Sequence, residues 1–400
     1  MAVFSFQAPD LFYRLTEKKD LEDIVVLDVR NEKDFSRSHI ESPYPFEQHN
    51  ISYYDFMEAE EESVARVPQN RSIRIVCAKE GSAKYVAEIL DRHGFSDLGY
   101  LSGGFKSWGN LLIPKLVAAE DNFALYQFIR PAKASCSYGL LSGGSMMLFD
   151  PSRNVDFYLN FAAEKKCRII SAFETHLQAD YISGSRTLAE KIGATFYGNA
   201  GDFGSSENPY TPVIDQKIYR PNDNDENDEN GPEVRAVFTP GHTPGSTCYL
   251  INGRYMLSGD TVFISSVGRP DLGGQAEAWA VQLFRSLSMI QQLDQNIKIL
   301  PAHYMDWEEA DPNLLFITTL AEAIERNKSI YGIEREADFI AFIKENMRPQ
   351  PEEYAVIRRV NANTEQVDDA RAEELDLGKN ECAATAYAQA QAQAEKNTAS

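Results

Sequence analysis

The sequence predicts an α/β protein with two folded domains, a parallel α/β domain followed by an αββα sandwich. Its 400 residues exceed the length of one ordinary domain, and 43% of them are hydrophobic, enough for sizeable cores. Strands alternate with helices over roughly the first 110 residues, as in parallel α/β domains. Later strands alternate with tight Pro/Gly turns, and helices flank them.

The elements of the first domain follow from apolar runs and glycine positions. The stretches IVVLDV (24–29) and IRIVC (73–77) are typical of buried strands. SAKYVAEILDRHG (82–94) has the spacing of a helix that Gly94 closes. LGYLSGGFKSW (98–108) predicts a short strand followed by a Gly-Gly turn. This alternation predicts a parallel sheet.

The second domain is expected to begin near Asn122 with three strands, ALYQFIR, SYGLLSGG and SMMLFD, and a helix over 154–165. KCRIISAFETH predicts a strand that runs into a polar loop, followed by a helix from about 182 to 192. EVRAVFTPGHTPGSTCYLINGRYMLSGDTVF alternates strands with turns, and INGR is typical of a hairpin. NIKILPAHY predicts a strand that ends in a histidine loop. Further helices are expected at roughly 276–293 and 313–330.

Two segments have the composition of irregular chain. PNDNDENDENGPE (221–233) predicts an acidic, solvated surface insertion. The ending AATAYAQAQAQAEKNTAS is biased towards Ala and Gln, which predicts a disordered or frayed-helical tail.

Charge and composition exclude several classes of function. The net charge is −21, which argues against nucleic acid or an anionic membrane as a general partner. No apolar run approaches the roughly 20 residues of a membrane span. The start, MAVFSFQAPD, lacks the pattern of a secretory signal, so we expect a cytoplasmic protein. Five scattered cysteines make a poor disulfide framework but leave room for a reactive thiol.

Histidine placement predicts a metal site in the second domain. Of the six histidines, His176, His242 and His303 each lie in a loop after a predicted strand. Asp260, in MLSGD, occupies the same kind of position. Loops at strand ends are where a rigid scaffold presents its ligands. Together these four residues point to a metal centre.

The motifs THLQAD, TPGHTPGS, LSGD and PAH resemble, in order and spacing, the metal motifs of the metallo-β-lactamase fold. ETH-x-x-AD, TPGHTPG, GD and GRPD, with the later MRPQPEEYAVIRRVNAN (347–363), are more similar to its persulfide dioxygenase branch. The resemblance covers about 120–363, and we assign the second domain to that range. Residues 364–400 would form a C-terminal extension.

Two residues within FETHLQADYISGS differ from the metal motif that the resemblance implies. Hydrolases of this fold usually hold two zinc ions, and Gln178 and Tyr181 stand where each zinc would have a histidine ligand. A neutral amide is a poor zinc donor, and the phenol would have to ionise. We therefore expect a two-zinc hydrolytic centre to be weakened.

His176, His242 and Asp260 resemble the iron triad of persulfide dioxygenases. Two imidazoles and one carboxylate suit non-haem Fe(II) with open positions, so the resemblance implies one Fe(II) per chain, with zinc as the alternative. The implied reaction converts R–S–SH, dioxygen and water to R–SH and sulfite. Residues expected to orient ligands, water or a substrate anion are Gln178, Asp180, Tyr181, Arg269, Asp271 and His303.

The first domain resembles a rhodanese. VLDVRNEKDFSRSHIES, IVCAKEGSAKYVAEIL and LSGGFKSW match its motifs over about 8–113, within a predicted domain of residues 1–115. Cys77 falls at the nucleophile position, where backbone N–H groups and a helix N-terminus are expected to lower its pKa. The family loop commonly reads C-x-x-G-x-R; here the Gly is shifted by one place and the Arg is absent. The predicted loop residues are Ala78, Lys79, Glu80, Gly81 and Ser82.

Three interpretations remain open from the sequence. The first is an iron-dependent persulfide dioxygenase, in which Cys77 passes sulfur to sulfite to make thiosulfate, or generates the persulfide in reverse. The second is a zinc thioester hydrolase of the glyoxalase II kind. The third is a metal-free scaffold with a sulfur-binding or regulatory role. The expected partners are a small-molecule thiol persulfide, dioxygen and sulfite or thiosulfate, with homodimerisation also expected.

Overall fold

The computed structural model describes residues 3–18, 21–221, 231–347, 349–378, 380 and 382–384. The chain forms two compact units. One comprises Met1–Ile113, Arg130–Lys133 and Asp376–Lys379; the other comprises Pro114–Ile129, Ala134–Leu375 and Asn380–Ser400. Most of the predicted acidic insertion and nearly all of the predicted tail lie outside the described residues.

The first unit holds the predicted parallel sheet. Among its described residues the sheet has five strands: β1 (Phe4–Phe6), β2 (Ile24–Asp28), β3 (Glu47–Asn50), β4 (Ser72–Val76) and β5 (Leu98–Leu101). Their order is β1-β5-β4-β2-β3, and every pairing is parallel. The helices are α1 (Ala8–Thr16), α2 (Glu32–Arg37), α3 (Tyr53–Glu58), α4 (Glu60–Ala65), α5 (Glu80–Arg92) and α6 (Phe105–Gly109).

The core of this unit lies between the sheet and α5. Apolar side chains of β2 and β4, such as Leu27 and Ile75, pack with Val86 and Leu90 of α5. Helix α5 begins two residues earlier than the sequence predicts. It ends as expected before Gly94, whose φ of +82° is a conformation that glycine adopts at little cost.

The first sheet of the second unit runs, among described residues, in the order β12-β11-β10-β9-β8-β7-β6. Its strands are β6 (Ile113–Ala119), β7 (Ala124–Arg130), β8 (Ser135–Ser142), β9 (Ser145–Phe149), β10 (Arg168–Phe173), β11 (Thr195–Gly198) and β12 (Thr211–Pro212). β8 and β9 form an antiparallel hairpin, whereas β9 to β12 pair in parallel.

The second sheet follows chain order from β13 to β18. Its strands are β13 (Ile218–Tyr219), β14 (Val234–Phe238), β15 (Thr247–Ile251), β16 (Tyr255–Gly259), β17 (Lys298–Pro301) and β18 (Thr318–Thr319). The helices of this unit are α7 (Val155–Glu164), α8 (Ser185–Ile192), α9 (Ala200–Phe203), α10 (Ala276–Ile290), α11 (Leu320–Arg326), α12 (Lys328–Tyr331), α13 (Glu336–Asn346), α14 (Glu352–Asn361) and α15 (Asp369–Leu375).

Aromatic side chains join the two sheets face to face. The Tyr249 ring of β15 lies 5.3 Å from Phe149 of β9 and 5.4 Å from Phe173 of β10, measured between ring centroids. On the outer face of the first sheet, Phe161 of α7 lies 5.0 Å from Phe128 of β7. Helices α10 and α13 share an apolar cluster with β15 and β16 of the second sheet. The predicted αββα sandwich is therefore confirmed.

One predicted helix is wrong over its first turns. Residues 318–319 form β18, which pairs antiparallel with β17, and α11 starts only at Leu320. The Thr319 hydroxyl accepts a hydrogen bond from the Glu322 N–H at 3.1 Å, and the Glu322 carboxylate accepts one from the Thr319 N–H at 3.1 Å. This reciprocal cap fixes the helix start. No helix among the described residues is long and apolar enough to cross a bilayer.

Candidate metal centre

Five strand ends of the second unit supply a cluster of ionisable side chains. Each of these residues lies one to four positions after the end of a strand, and each is buried: Asp150 after β9, His176 after β10, His242 after β14, Asp260 after β16 and His303 after β17. Because the ends of adjacent strands meet at one edge of a sheet, loops far apart in sequence bring these groups together.

His176, His242 and Asp260 converge on one point. Asp260 Oδ2 lies 3.6 Å from His176 Nε2 and 3.4 Å from His242 Nε2. The two rings are 4.9 Å apart and nearly perpendicular. Donors that bind one ion at about 2.1 Å lie about 3.0 to 3.4 Å apart in octahedral or tetrahedral geometry. The spacing therefore fits a single metal ion.

The atoms that would bind this ion have no other role within the described chain. His176 Nε2, His242 Nε2 and Asp260 Oδ2 are buried and make no hydrogen bond with any described residue. Leaving buried polar atoms without partners costs about 1 to 3 kcal/mol each. An ion bound by all three would satisfy them, so the residues present fit a metal.

Hydrogen bonds set the orientation of both imidazoles. The Thr175 hydroxyl donates to Asp150 Oδ2 at 2.9 Å, and its oxygen lies 2.9 Å from His176 Nδ1. Since the hydroxyl proton points to Asp150, the oxygen accepts the Nδ1 proton of His176. His242 Nδ1 lies 2.9 Å from the carbonyl oxygen of Arg269, which can only accept. Both rings are thereby held as Nδ1–H tautomers with Nε2 aimed at the centre.

Burial keeps His176 neutral. Burial lowers the pKa of His176 to about 3, and the nearby Asp260 carboxylate offsets this only in part. Burial would raise the pKa of Asp260, but His303, His176 and His242 outweigh it and hold that pKa well below its usual range. At neutral pH the His176 imidazole is thus neutral and Asp260 is a carboxylate, the protonation states that a metal requires of these two ligands.

A second group lies beside the first. The ligand atoms of Asp180, His303 and Cys382 all lie within 4.8 Å of one another, and all three residues are buried. His303 Nε2 is 3.0 Å from Asp180 Oδ2, and His303 Nδ1 is 2.7 Å from Asp260 Oδ1. Burial opposes protonation of His303, but the two carboxylates prevail and raise its pKa to about 10. Asp260 therefore contacts both groups.

Gln178 and Tyr181 lie near the centre, and each donates a hydrogen bond to Asp150, while Gln178 Oε1 is buried without a hydrogen bond to any described residue. The Gln178 amide donates to Asp150 Oδ1 at 3.1 Å, and the Tyr181 hydroxyl donates to the Asp150 carbonyl oxygen at 3.2 Å. Burial raises the pKa of Tyr181 well above its ordinary value of 10. In this arrangement the neutral Tyr181 phenol donates its proton to the backbone beside the centre.

Asp202 joins the two histidine loops and was not predicted from the sequence. Its carboxylate accepts hydrogen bonds from the Leu177 N–H at 2.8 Å, the Thr243 hydroxyl at 2.7 Å and the Gly245 N–H at 2.7 Å. It lies on the four-residue helix α9, and no pattern marks it in the sequence. Asp150 was also missed, although it follows a strand directly, as Asp260 does.

The GRPD loop, residues 268–271, packs against the metal-binding residues His242 and Asp260. The Arg269 guanidinium forms a buried two-bond ion pair with Asp271, with distances of 2.6 Å and 2.6 Å. A Cβ on Gly268 would lie 1.9 Å from the Asp260 carbonyl oxygen and 2.9 Å from His242 Nδ1. Only glycine fits there without displacing the metal ligands.

Cys382 enters this region from the C-terminal segment 382–384. The Cys382 carbonyl oxygen accepts from the Arg269 N–H at 2.9 Å, and the Ala384 N–H donates to Val267 at 2.8 Å. Its side chain packs with Phe263, Tyr354 and their neighbours. Burial and the charges of Asp180 and Asp260 raise the pKa of Cys382 well above its ordinary value. Sequence patterns did not place this residue at either site.

In the first unit, Cys77 lies between β4 and α5 as predicted from the sequence. Its pKa is raised rather than lowered, because burial outweighs the backbone N–H groups of Lys79 and Ala78 and the hydroxyl of Ser82. The expectation of a lowered pKa is therefore wrong for this state of the protein.

The residues after Cys77 divide between a loop and a helix. Ala78 and Lys79 form the turn, whereas Glu80, Gly81 and Ser82 make the first turn of α5. The Glu80 carboxylate accepts from the Gly103 N–H at 2.8 Å, which ties α5 to the Gly-Gly turn.

Comparisons with known proteins agree with the two folds. The rhodanese-like domain family matches residues 9–111, and the metallo-beta-lactamase superfamily matches residues 133–303. A hydroxyacylglutathione hydrolase of Anaeromyxobacter dehalogenans is 31% identical over 191 residues, covering 48% of this chain and 68% of that protein. One from Francisella tularensis subsp. novicida is 28% identical over 230 residues, covering 54% and 85%.

Two solved structures share the fold of the second unit. A metallo-beta-lactamase from Staphylococcus aureus has 26% sequence identity and a TM-score of 0.53, covering 62% of this chain and 75% of that one. ETHE1 from Myxococcus xanthus has 23% identity and a TM-score of 0.51, covering 60% and 99%. The latter likeness is one of fold alone.

Proposed function

Given that the chain belongs to the metallo-β-lactamase superfamily and carries a rhodanese-like domain, we propose that it oxidises a small-molecule thiol persulfide to sulfite at a single iron ion. The reaction is R–S–SH + O₂ + H₂O → R–SH + SO₃²⁻ + 2 H⁺. The inner sulfur of the persulfide leaves as the free thiol R–SH, and dioxygen oxidises the outer sulfur to sulfite.

One observation carries the proposal. The donor atoms of His176, His242 and Asp260 converge and make no hydrogen bond with any described residue. The Gln178 amide nitrogen and the Tyr181 hydroxyl donate to Asp150, and Gln178 Oε1 is a neutral amide oxygen without a hydrogen bond among the described residues. Two imidazoles and one carboxylate are the donor set of non-haem iron oxygenases. The rhodanese-like domain adds a second reason, since a cysteine in that setting handles sulfane sulfur.

The chain's own residues prepare the centre. Iron held by His176, His242 and Asp260 would supply the activation of dioxygen for oxidation of the persulfide sulfur. Thr175 and the Arg269 carbonyl fix the two imidazoles, so no reorientation is needed when substrate arrives. The burial of every group around the centre excludes bulk water and strengthens its electrostatic contacts. His303, hydrogen-bonded to Asp260, is placed to hold a proton next to the ligand set.

His176→Ala and Asp260→Ala test the triad. Each removes one of the three donors, so we expect loss of bound iron and a fall of at least about 100-fold in persulfide-dependent oxygen uptake. His39→Ala is the matched control, because His39 lies in the first unit and is part-exposed. Uptake retained in either triad variant would refute the assignment.

Cys77→Ser tests the proposed role of the first unit. If Cys77 carries sulfur, Cys77–S–SH and sulfite give Cys77–SH and thiosulfate. Removal of the thiol should then raise the ratio of sulfite to thiosulfate among the products, or, in the reverse direction, abolish oxygen uptake supported by thiosulfate. Cys167→Ser, at a half-buried cysteine of the other unit, is the control. If Cys77→Ser changes neither the ratio of sulfite to thiosulfate nor the oxygen uptake supported by thiosulfate, Cys77 carries sulfur in neither direction.

A second candidate function is thioester hydrolysis, favoured by the names of the two hydroxyacylglutathione hydrolases. That chemistry at two zinc ions would require other ligands in place of Gln178 and Tyr181. Hydrolysis of S-lactoylglutathione by the zinc-loaded protein, with no persulfide-dependent oxygen uptake by the iron-loaded protein, would favour this alternative.

A further inference from the structure

We propose that the second unit binds a small organic anion in a cleft between its two sheets. The cleft has a volume of about 610 Å³, and small-molecule pockets commonly measure about 300 to 1,000 Å³. It opens where β9, β10 and β11 begin, whereas the metal-binding residues follow the ends of strands. The inference goes beyond the proposed function, because it does not depend on the reaction at the metal centre.

The floor of the cleft is the inner face of the first sheet. Ser171 of β10 pairs with Thr195 of β11, so both side chains lie on one face. Phe173 comes two residues after Ser171 and shares that face. The Phe173 ring lies 5.2 Å from the Tyr219 ring of the second sheet, measured between centroids. The face therefore points between the sheets, and residues 219–221 form the opposite wall of the cleft.

A β-bulge turns Arg168 towards the cleft. Arg168 pairs with Ser145, and Ser171 pairs with Met147, so β10 advances by three residues while β9 advances by two. In a regular strand, residues three apart lie on opposite faces. The extra residue, Ile170, brings Arg168 onto the same face as Ser171. Bulges are frequent beside functional sites, where they re-aim a side chain in this way.

Two polar groups of the floor favour an anion. Arg168 is exposed at the start of β10 and forms no ion pair with any described residue, whereas Arg220 in the opposite wall pairs with Glu233. The Ser171 hydroxyl oxygen is buried and makes no hydrogen bond with any described residue. A guanidinium binds the paired oxygens of a carboxylate, sulfonate or phosphate, and a hydroxyl donates one more hydrogen bond.

The apolar part of the lining favours a ligand with an apolar body. Ile192, at the end of α8, lines the cleft and is 40% exposed. Deeper in the cleft the rings of Phe173 and Tyr197 stack at 4.4 Å between centroids. A ligand that covers these side chains removes apolar surface from water, which is favourable. The class of ligand is therefore an organic anion whose charged group meets Arg168 and whose apolar body lies against the floor.

Titration with the dye anilinonaphthalene sulfonate tests the site in the full-length protein. The dye carries a sulfonate on an aromatic body, and its fluorescence rises when its rings leave water. We expect saturable binding of about one dye per chain. Arg168→Glu should weaken this binding by about 10-fold or more, because a repelling charge replaces an attracting one. Phenylnaphthylamine, the same ring system without the sulfonate, should bind wild-type and Arg168→Glu protein alike.

Two further variants complete the test. Arg285→Glu is the matched control for charge, because Arg285 is exposed on α10 and does not line the cleft, and it should change neither affinity. Thr195→Trp should weaken both dyes, because its exposed position tolerates an indole that fills part of the cleft.

Three results would overturn the proposal. The first is the absence of saturable binding to the wild-type protein, including binding that appears only after deletion of the acidic residues 222–230. The second is binding of the sulfonate dye that survives both Arg168→Glu and Thr195→Trp. The third is equal weakening of both dyes by Arg168→Glu, which would show that the cleft does not select an anion.

Discussion

At the scale of single residues, the hydrogen bond of the Tyr181 hydroxyl bears on whether the centre holds two zinc ions or one iron ion. Tyr181 occupies a position that is a metal ligand in two-zinc hydrolases, but its hydroxyl donates to the Asp150 carbonyl oxygen. Burial raises the pKa of Tyr181, so the neutral phenol is the form present at neutral pH. We therefore expect Tyr181 to support the centre through Asp150 rather than to bind the metal.

Tyr181→Phe tests this assignment. Loss of one buried hydrogen bond should lower the free energy of unfolding by about 1 kcal/mol. The metal content should not change, because no metal donor is removed. Tyr331→Phe is the control, since the Tyr331 hydroxyl is buried without a hydrogen bond among the described residues. Metal analysis measures the metal content, and denaturant unfolding measures the free energy of unfolding. A drop in bound metal for Tyr181→Phe would mean that the phenol is a ligand.

Some residues of the site could be predicted from the sequence, and others could not. The grouping of His176, His242 and Asp260 could be predicted because each lies in a loop that follows an apolar strand. Asp150 carries the same signal and could have been found. Cys382 could not, because it follows α15 in an irregular segment, and only the folded chain brings it to His303. The raised pKa of Cys77 likewise depends on its burial, which motif spacing does not reveal.

At the scale of elements, the short helix α9 fixes the distance between the two histidine loops. Through Asp202 it accepts hydrogen bonds from the loop that carries His176 and from the loop that carries His242. The imidazole positions therefore depend on a residue that touches neither ligand.

Asp202→Asn should loosen this connection. The three donors to Asp202 are the Leu177 N–H, the Thr243 hydroxyl and the Gly245 N–H. The Asn side chain has an NH₂ group in place of one carboxylate oxygen, so at least one of these donors loses its acceptor. We expect unfolding to become easier by about 1 to 3 kcal/mol and metal affinity to fall about 10- to 100-fold. Asp156→Asn, at an exposed ion pair with Lys191, should change neither. Competition with a chelator measures the affinity, and wild-type affinity in Asp202→Asn would contradict this role.

Strand and helix positions followed from the sequence wherever glycine, proline and apolar spacing agreed. Helix α5 and the strands β2, β4, β8 and β9 illustrate this. The predicted helix over 313–330 failed because apolar spacing does not separate a short strand from a helix start. The reciprocal cap of Thr319 and Glu322 decides that boundary, and the Thr-x-x-Glu spacing could have indicated it from the sequence.

At the scale of the whole molecule, the chain combines a rhodanese-like domain and a metallo-β-lactamase sandwich, as the alternation of strands and helices predicts. Both folds follow from local patterns, but the reaction depends on which ion the triad holds. Iron favours persulfide oxidation, and zinc favours hydrolysis.

The most direct test is the metal content and oxygen uptake of the wild-type protein purified without air. We predict about one iron per chain, bound through His176, His242 and Asp260, and one dioxygen consumed for each sulfite formed from a thiol persulfide. Zinc in the triad, with no oxygen uptake after loading with Fe(II) and addition of persulfide, would contradict the proposed function.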